Sequence, residues 1–238
     1  MAFITGTGWI TAGGMGRGRQ TNCFDMTPGR LSKIRRKSVL TRPYAHFGRM
    51  DAFSKLGLAG ISLALQDAGH HEWTQKRPIA LVASTVQGCI QTDADYFDTA
   101  IERNDMASPA LFSYTLSNCF LGEAACCFGI NGLSYGIYDT QSDRLSSLDA
   151  LLLHIDLDEC DMGLAGIVNA EPPSDLPLPG RPLPGAAFVM VEKTPPSNET
   201  TYGPIEPAPN DAIRFNHKEM TSFLHLIQAC LTVFHGSA

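Results

Sequence analysis

The stretch Asn131–Ala150, NGLSYGIYDTQSDRLSSLDA, decides how the chain is read. Residues Leu133, Ser134, Tyr135, Gly136, Ile137 and Tyr138 carry aromatic and apolar side chains and predict a strand. DTQSD predicts a tight turn, and a helix is expected from about Arg144. That order holds the turn side chains at the carboxyl edge of a sheet, above a helix N-terminus, where chemistry is often placed. Gln141 and Ser142 are therefore the first site candidates. Asp139 and Asp143 flank them and are expected to cap the helix.

Outward from this stretch, helices and strands alternate. Upstream, Ala2–Thr5 predicts a first strand ended by Gly6-Thr7-Gly8. No glycine stands at position 11, so the dinucleotide pattern GxGxxG fails and the glycines predict a crowded turn. RMDAFSKLGLAGISLALQDAGHH predicts a strong helix, with Phe53, Leu56, Gly60, Leu63 and Ala64 on one face and Gly69 as its stop. Arg49 and Asp51 are placed for an ion pair at its start. PIALVAST is a near-continuous apolar strand, as in a sheet covered on both faces. A helix over 91–103, a loop over 107–112 and a small-residue helix over 114–128 follow. Downstream, 160–169 and 185–192 predict buried strands, with a proline-rich surface loop over 172–184 between them. Residues 194–211 are rich in Pro, Asn, Thr and Gly and read as a linker. Asn216 and Glu219 form a capping-box pattern for a last helix carrying Met220, Phe223, Leu224, Ile227, Leu231 and Phe234 on one face. The reading is α/β: a mixed sheet with helices on its faces, with a domain over 1–193, a linker over 194–215 and a C-terminal helix over 216–236.

The 238 residues carry a net charge of −6 and suffice for one sizeable domain. No apolar run reaches the roughly 18 residues of a membrane span, and the opening MAFITGTGWITAGG lacks the features of a secretory leader. Seven scattered Cys without a CxxC pair predict reduced, buried thiols in a cytoplasmic protein. The seven His are also dispersed, so no metal site is expected. Nine of the eighteen basic residues lie between Arg17 and Arg49, among them Arg30, Lys33, Arg35, Arg36 and Lys37. This is either a solvated basic surface or a docking patch for an acidic protein partner. Nucleic acid is not indicated, because no aromatic interleaving or binding motif accompanies the charge.

Six segments together resemble, in order, the N-terminal half of a β-ketoacyl synthase, the condensing enzyme of the thiolase fold. FITGTGWITAGG resembles its opening strand and loop, RMDAFSKLGLAGISLALQDAG its first long helix, and ALVASTVQG the next strand and glycine turn. SPALFSYTLSNCFLGEAACCFGINGLSY resembles the approach to the active site, and CDMGLAGIVNA and GAAFVMVEK the two strands after it. The resemblance runs from about Ala2 to Lys193. It implies a thiolase-like fold, N-terminal half only, and no cofactor.

Two departures matter. In the family the turn reads DTACSS and its Cys attacks the acyl thioester; here it reads Asp139-Thr140-Gln141-Ser142-Asp143-Arg144. The spacing is one residue short, so either Gln141 or Ser142 falls at the nucleophile position. The family's second half, with the two His that serve condensation, has no counterpart after Lys193. Condensation needs nucleophile and acid/base groups converging on one site. The resemblance therefore implies a non-condensing member, a chain length factor of the aryl polyene or type II polyketide kind. Gln at the Cys position is a familiar mark of these proteins. As implied by that resemblance, the chain is not itself an enzyme, and it pairs as a heterodimer with a full-length β-ketoacyl synthase that supplies the Cys. Leu111, Phe112, Tyr114, Thr115 and Leu116 would reach the partner's acyl tunnel, and the Leu133–Tyr138 strand would pair across the dimer. The basic segment would dock acyl carrier protein. Ordinary core packing accounts equally for the 111–116 positions. Two other readings stand beside this one: a carrier-binding scaffold, and a hydrolase or acyltransferase using Ser142.

In the thiolase fold the helix after the nucleophile lies between two sheets and should be apolar all round. Here Leu145, Leu148, Leu152 and Ile155 share a face while Asp149, His154, Asp156 and Asp158 are polar. One face is expected to have lost its cover, with the C-terminal helix shielding part of the gap.

Overall fold

The computed structural model describes residues 1–21, 23–102, 107–171, 173, 182–194, 201–208 and 212–236. In chain order the elements are β1 (Ala2–Thr11), β2 (Gly14–Arg17), α1 (Arg36–Val39), α2 (Ala52–Asp67), β3 (Ala80–Thr85), α3 (Ile90–Glu102), α4 (Pro109–Phe112) and α5 (Cys119–Phe128). Then come β4 (Ser134–Tyr138), α6 (Ser146–Asp156), β5 (Met162–Asn169), β6 (Gly185–Glu192), β7 (Gly203–Ala208), β8 (Ala212–Phe215), β9 (Lys218–Met220) and α7 (Phe223–His235). Most of the proline-rich loop over 172–184, and the 195–200 and 209–211 parts of the expected linker, lie outside the described residues.

The strands form one mixed sheet in the order β4-β3-β5-β6-β1-β7-β8-β9, with β2 also beside β1. β4, β3 and β5 run parallel, and β6, β1 and β7 are antiparallel to their neighbours. β3 and β6 are buried along their whole length, and β5 is buried after its first residue. Their continuous apolar runs are what a sheet covered on both faces requires.

Two cores flank the sheet. The first joins α2 and α5 to Leu81, Ala83, Leu164, Phe188 and Met190. The second, on the opposite face, joins α6 and α7 to Ile4, Trp9, Val82, Ile167, Val189, Ile205 and Phe215. Alternation along each strand sends neighbouring residues to opposite cores.

α2 is enclosed on all sides: 13 of its 16 residues are buried. Asp51 caps it, accepting from the Ser54 amide at 3.0 Å, and also accepts from Thr92 Oγ1 at 2.6 Å. Its carboxylate thus serves the helix start, where the sequence suggested an ion pair with Arg49. Gly69 at φ +78° follows the helix end, as expected.

β1 does not stop at Gly6. It runs through both glycines because they serve a close approach of α2, with no turn there. A Cβ on Gly6 would lie 2.6 Å from the Ala64 carbonyl oxygen, and one on Gly8 would lie 2.3 Å from the Ala64 nitrogen. The helix over 114–128 begins only at Cys119. The small residue that admits its crossing is on α2, where a Cβ on Gly57 would meet the Phe120 ring at 2.4 Å. The 107–112 loop contains the short α4, capped by Ser108.

The expected linker is corrected most. Its described residues supply β7 and β8, which with β9 extend the sheet beyond β1. Asn216 and His217, at φ +50° and +65°, form the two-residue turn of the β8–β9 hairpin, so Asn216 opens no helix. The cap of α7 is Ser222, whose Oγ accepts from the His225 amide at 3.2 Å. Turn-forming residues and short strands share a composition with linkers, which is why the pattern misled.

The last helix does not lie over the outer face of α6. It takes the place beside α6 in the same core, and Leu153 and Leu157 of the α6 region stay exposed. All seven cysteines are free thiols, but only Cys89 and Cys230 are buried as expected, while Cys23 and Cys126 are exposed. Among the described residues no helix is long and apolar enough to cross a membrane, and no group of His, Cys, Asp and Glu is arranged to hold a metal ion.

Asp67, the last residue of α2, joins the layers. Its buried carboxylate accepts from the Thr7 amide at 2.8 Å, the Arg19 amide at 2.9 Å and Tyr202 Oη at 2.6 Å. Near it, Glu192 accepts from Thr5 Oγ1 at 2.7 Å and His70 Nε2 at 3.0 Å. Burial pushes Glu192 upward, but the bonds from His70 and Thr5 outweigh it and hold its pKa below the ordinary value. We expect Asp67→Ala to cost about 3 kcal/mol in urea denaturation, because three donors lose a charged acceptor. A depressed carboxylate pKa gives stability that is present above the unfolded value of about 4.3 and lost as pH falls through the folded pKa. Glu192→Gln should accordingly flatten the acid limb of a stability–pH profile.

Candidate functional site

The turn after β4 lies where the sequence placed it. The Asp139 amide continues the strand ladder to the Thr85 carbonyl at 2.9 Å, and Asp139 Oδ1 accepts from Ser146 Oγ at 2.8 Å. Neither Asp139 nor Asp143 caps the backbone: the helix starts at Ser146, two residues later than expected, and the residue before it, Leu145, makes no side-chain cap. Asp139 Oδ2 is buried with no hydrogen-bond partner among the described residues. Asn169, at the end of β5, accepts from the Val86 amide at 2.9 Å and donates to the Ser142 carbonyl at 3.4 Å, tying the turn to two strand ends. The Asp143 carbonyl accepts the Phe223 amide at 2.7 Å, so the C-terminal helix is fastened to this turn.

Gln141 is exposed and Ser142 half-buried. Among the described residues neither side chain hydrogen-bonds to a His. His46, His70 and His154 instead contact Glu123, Glu192 and Glu159. A serine nucleophile needs a base within hydrogen-bond reach. Cys89, buried at the start of α3, does not supply a thiolate. Burial and then the charges of Asp93 and Asp51 push its pKa up to about 12, which keeps the thiol protonated near neutral pH.

The five residues over 111–116 separate into two kinds. Tyr114 is 4% exposed, while Phe112 and Leu116 are 61% and 66% exposed. Leu111 and Thr115 are intermediate. Tyr138 at the end of β4 is also exposed, and its Oη donates to Ser117 Oγ at 3.0 Å. This bond brings the end of the strand against the projecting loop. β4 is the outermost strand at its end of the sheet, so its second edge has no strand beside it among the described residues. Tyr135 and Ile137 turn toward the second core, while Ser134, Gly136 and Tyr138 are exposed. Leu133 packs against that core and accepts the Leu81 amide at 2.8 Å.

The basic segment is largely exposed: Arg30, Lys33, Arg35 and Lys37 face solvent, and Arg36, in α1, is half-buried. Arg30 pairs with Glu171 at 3.8 Å, and the Leu31 amide donates to the same carboxylate at 2.5 Å. Arg30 and Lys33 border a cleft of about 1070 Å³ whose walls include Phe47, Lys55, Cys89, Thr92 and Leu111.

One cluster escaped the sequence reading. Glu123 of α5 accepts from Tyr114 Oη at 2.8 Å, from Tyr44 Oη, and from His46 Nδ1 at 3.1 Å. Burial pushes its pKa upward, but the bonds from Tyr44, Tyr114 and His46 outweigh it and leave the pKa below the ordinary value. Burial, reinforced by Glu123, pushes Tyr114 up to about 12. The available signal was a single acid in the otherwise uncharged helix CFLGEAACCF.

Comparison with known proteins places this geometry. The family model for the β-ketoacyl synthase N-terminal domain matches residues 42–175, from the segment before α2 to the end of β5 and a little beyond. The chain belongs to this family. The β-ketoacyl synthase-like chain matches no curated protein sequence. Among solved structures it is similar to the ishigamide ketosynthase/chain length factor, with a TM-score of 0.61 at 13% identity over 83% of this chain and 63% of that one. It is also similar to the ketosynthase ApeO in complex with its chain length factor ApeC from Xenorhabdus doucetiae, with a TM-score of 0.55 at 16% identity over 82% of this chain and 80% of that one. A β-ketoacyl synthase from Burkholderia phymatum gives 0.59 at 18% identity over 86% and 62%. At such identities the likeness is one of fold: mixed α/β, thiolase-like, with a C-terminal helix present. The chain spans less than two thirds of the first of these structures.

Exposed and buried members of the 111–116 segment should separate in a thermal melt of the isolated chain. Phe112→Ser and Leu116→Ser should leave stability within about 0.5 kcal/mol, whereas Tyr114→Phe should cost about 1–2 kcal/mol by stripping a partly buried carboxylate of a donor.

Proposed function

We propose that this chain is a non-catalytic chain length factor that pairs with a full-length β-ketoacyl synthase and shapes its acyl tunnel in polyene or polyketide biosynthesis. The observation that carries the reading is the juxtaposition at one end of the sheet. An open strand edge, β4, stands beside the exposed Phe112, Leu116 and Tyr138, next to a family nucleophile turn that contains no Cys. An open edge offers a row of unpaired main-chain groups, a template for another strand, and exposed apolar side chains beside it favour burial on a partner. Two of the structural neighbours pair a ketosynthase with a chain length factor, which supports the reading. In it, Leu133–Tyr138 pairs across the dimer and Phe112 and Leu116 reach into the partner's tunnel, where their bulk limits the chain. The synthase supplies the nucleophile and its histidines.

Acyl carrier protein is proposed as a second partner. The exposed cations Arg30, Lys33, Arg35 and Lys37, with Arg36 beside them, suit an acidic surface. A neighbouring structure contains a type II polyketide acyl-carrier protein with its ketosynthase.

Co-expression with candidate full-length synthases, followed by size-exclusion chromatography with light scattering, tests the pairing. A stable one-to-one complex is expected, with Phe112→Ser and Leu116→Ser each weakening it about tenfold, or roughly 1.4 kcal/mol. Phe112→Ala should lengthen the product chains of the complex. A monomer that binds none of the synthases would remove the reading, and turnover by the isolated chain that disappears in Ser142→Ala would replace it with the hydrolase reading. Charge reversal at Arg35 and Arg36 should weaken carrier binding, and more so at low salt.

A further inference from the structure

The projection that carries Phe112 and Leu116 is shaped by bonds within itself. Ser113 Oγ donates to the Pro109 carbonyl at 3.0 Å and Thr115 Oγ1 to the Phe112 carbonyl at 2.9 Å. These bonds fix local geometry and leave open how the segment sits on the body. Placement needs contacts outside the segment. A tilted ring contact between Tyr96 and Phe112 at 5.5 Å, the Tyr138–Ser117 bond, a bond from the Ser108 amide to Thr99 Oγ1 at 3.1 Å and one from Cys119 Sγ of α5 to the Ser113 carbonyl at 3.2 Å supply four at the margins of the segment. A further contact starts from its one buried side chain: Tyr114, at the middle of the segment, donates to Glu123.

We propose that Glu123 is the positioning residue of this projection, a carboxylate that clamps Tyr114 to the segment preceding α2 and so sets where Phe112 and Leu116 stand. The inference deepens the chain length factor reading and rests on it for its functional consequence. α5, which carries Glu123, is braced on the enclosed helix α2 by Phe120, whose ring meets Phe53 edge-on at 5.5 Å and fills the gap at Gly57. From this fixed base Glu123 gathers three donors from two distant parts of the chain. Tyr44 and His46 precede α2, and Tyr114 belongs to the projection. The charge of Arg49 also acts on the Tyr114 phenol, lowering its pKa against the larger effect of burial, so the phenol donates to the acid with a cation nearby. Three converging donors call for an acceptor-only group. A carboxylate offers about four lone-pair sites and no hydrogen, whereas an amide of the same shape would turn its NH₂ toward a phenol or an imidazole. Glu123→Gln is thus a change in bonding at constant volume.

The test has two arms. In the isolated chain, amide hydrogen exchange over residues 111–118 should be at least tenfold faster in Glu123→Gln than in wild type, with α2 and β3 unchanged. In the complex with the synthase, the same variant should bind about tenfold more weakly and broaden the distribution of product lengths. Tyr114→Phe, which removes one bond, should show both effects in weaker form and covers the case in which Glu123→Gln does not fold. Unchanged exchange over 111–118 would overturn the clamp. Faster exchange with unaltered partner affinity and product lengths would overturn its positioning role. If wild type itself binds no synthase, the chain length factor reading fails and the exchange arm alone decides the clamp.

Discussion

The structure depends on how closely α2 lies on β1. Two glycines in the strand, Gly6 and Gly8, leave no Cβ where the backbone of Ala64 passes, and the helix settles onto the sheet at a distance no other residue would permit. The approach brings a carboxylate, Asp67, to the buried C-terminal end of a helix, where the macrodipole disfavours negative charge. Donors from Thr7, Arg19 and Tyr202 make that position tolerable. They belong to β1, to the residues after β2, and to the segment leading into β7. One side chain therefore joins the first third of the chain to its last fifth. Cys230 of α7 is fully buried in the same neighbourhood, where burial and then the charge of Asp67 push its thiol far above the ordinary value.

The C-terminal region gains its place from this arrangement. β7, β8 and β9 continue the sheet past β1, and α7 fills the second core beside α6. Ser222 starts α7 beside the turn after β4, where the Asp143 carbonyl receives the Phe223 amide. The turn carries Gln141 and Ser142, and four of the histidines, His46, His70, His71 and His154, pair with glutamates elsewhere. The polar groups that do converge, Asn169, Ser146 and Asp139, hold the turn in shape.

At the β4 edge of the sheet the balance is reversed. β4 is half-exposed, and the neighbouring segment turns two large apolar side chains outward around one buried tyrosine. Phe112 and Leu116 stand in water while Tyr114 donates to a charged acceptor, and nothing covers the two apolar side chains among the described residues. A fixed apolar surface beside an open strand edge loses little conformational freedom on association, the condition under which buried area translates into affinity.

Much of this was legible in the residues. The strand–turn–helix of Asn131–Ala150, the apolar strand before Thr85 and the helix after Asp51 follow from periodicity and capping, because each is set by neighbours in the chain. The order of the family-like segments determined the fold class. What the sequence could not decide depends on contacts between distant residues. Gly6 and Gly8 have the same letters whether they make a turn or admit a helix. Residues 203–220 look like a linker until β1 offers them an edge, because short strands with Pro, Gly and Asn gain their stability from the partner strand. The engaged state of Glu123 exists only once Tyr44, His46 and Tyr114 converge on it, from up to 79 residues away. Local preference wrote the elements; close packing and the satisfaction of buried charge, which no single segment encodes, decided which of them meet.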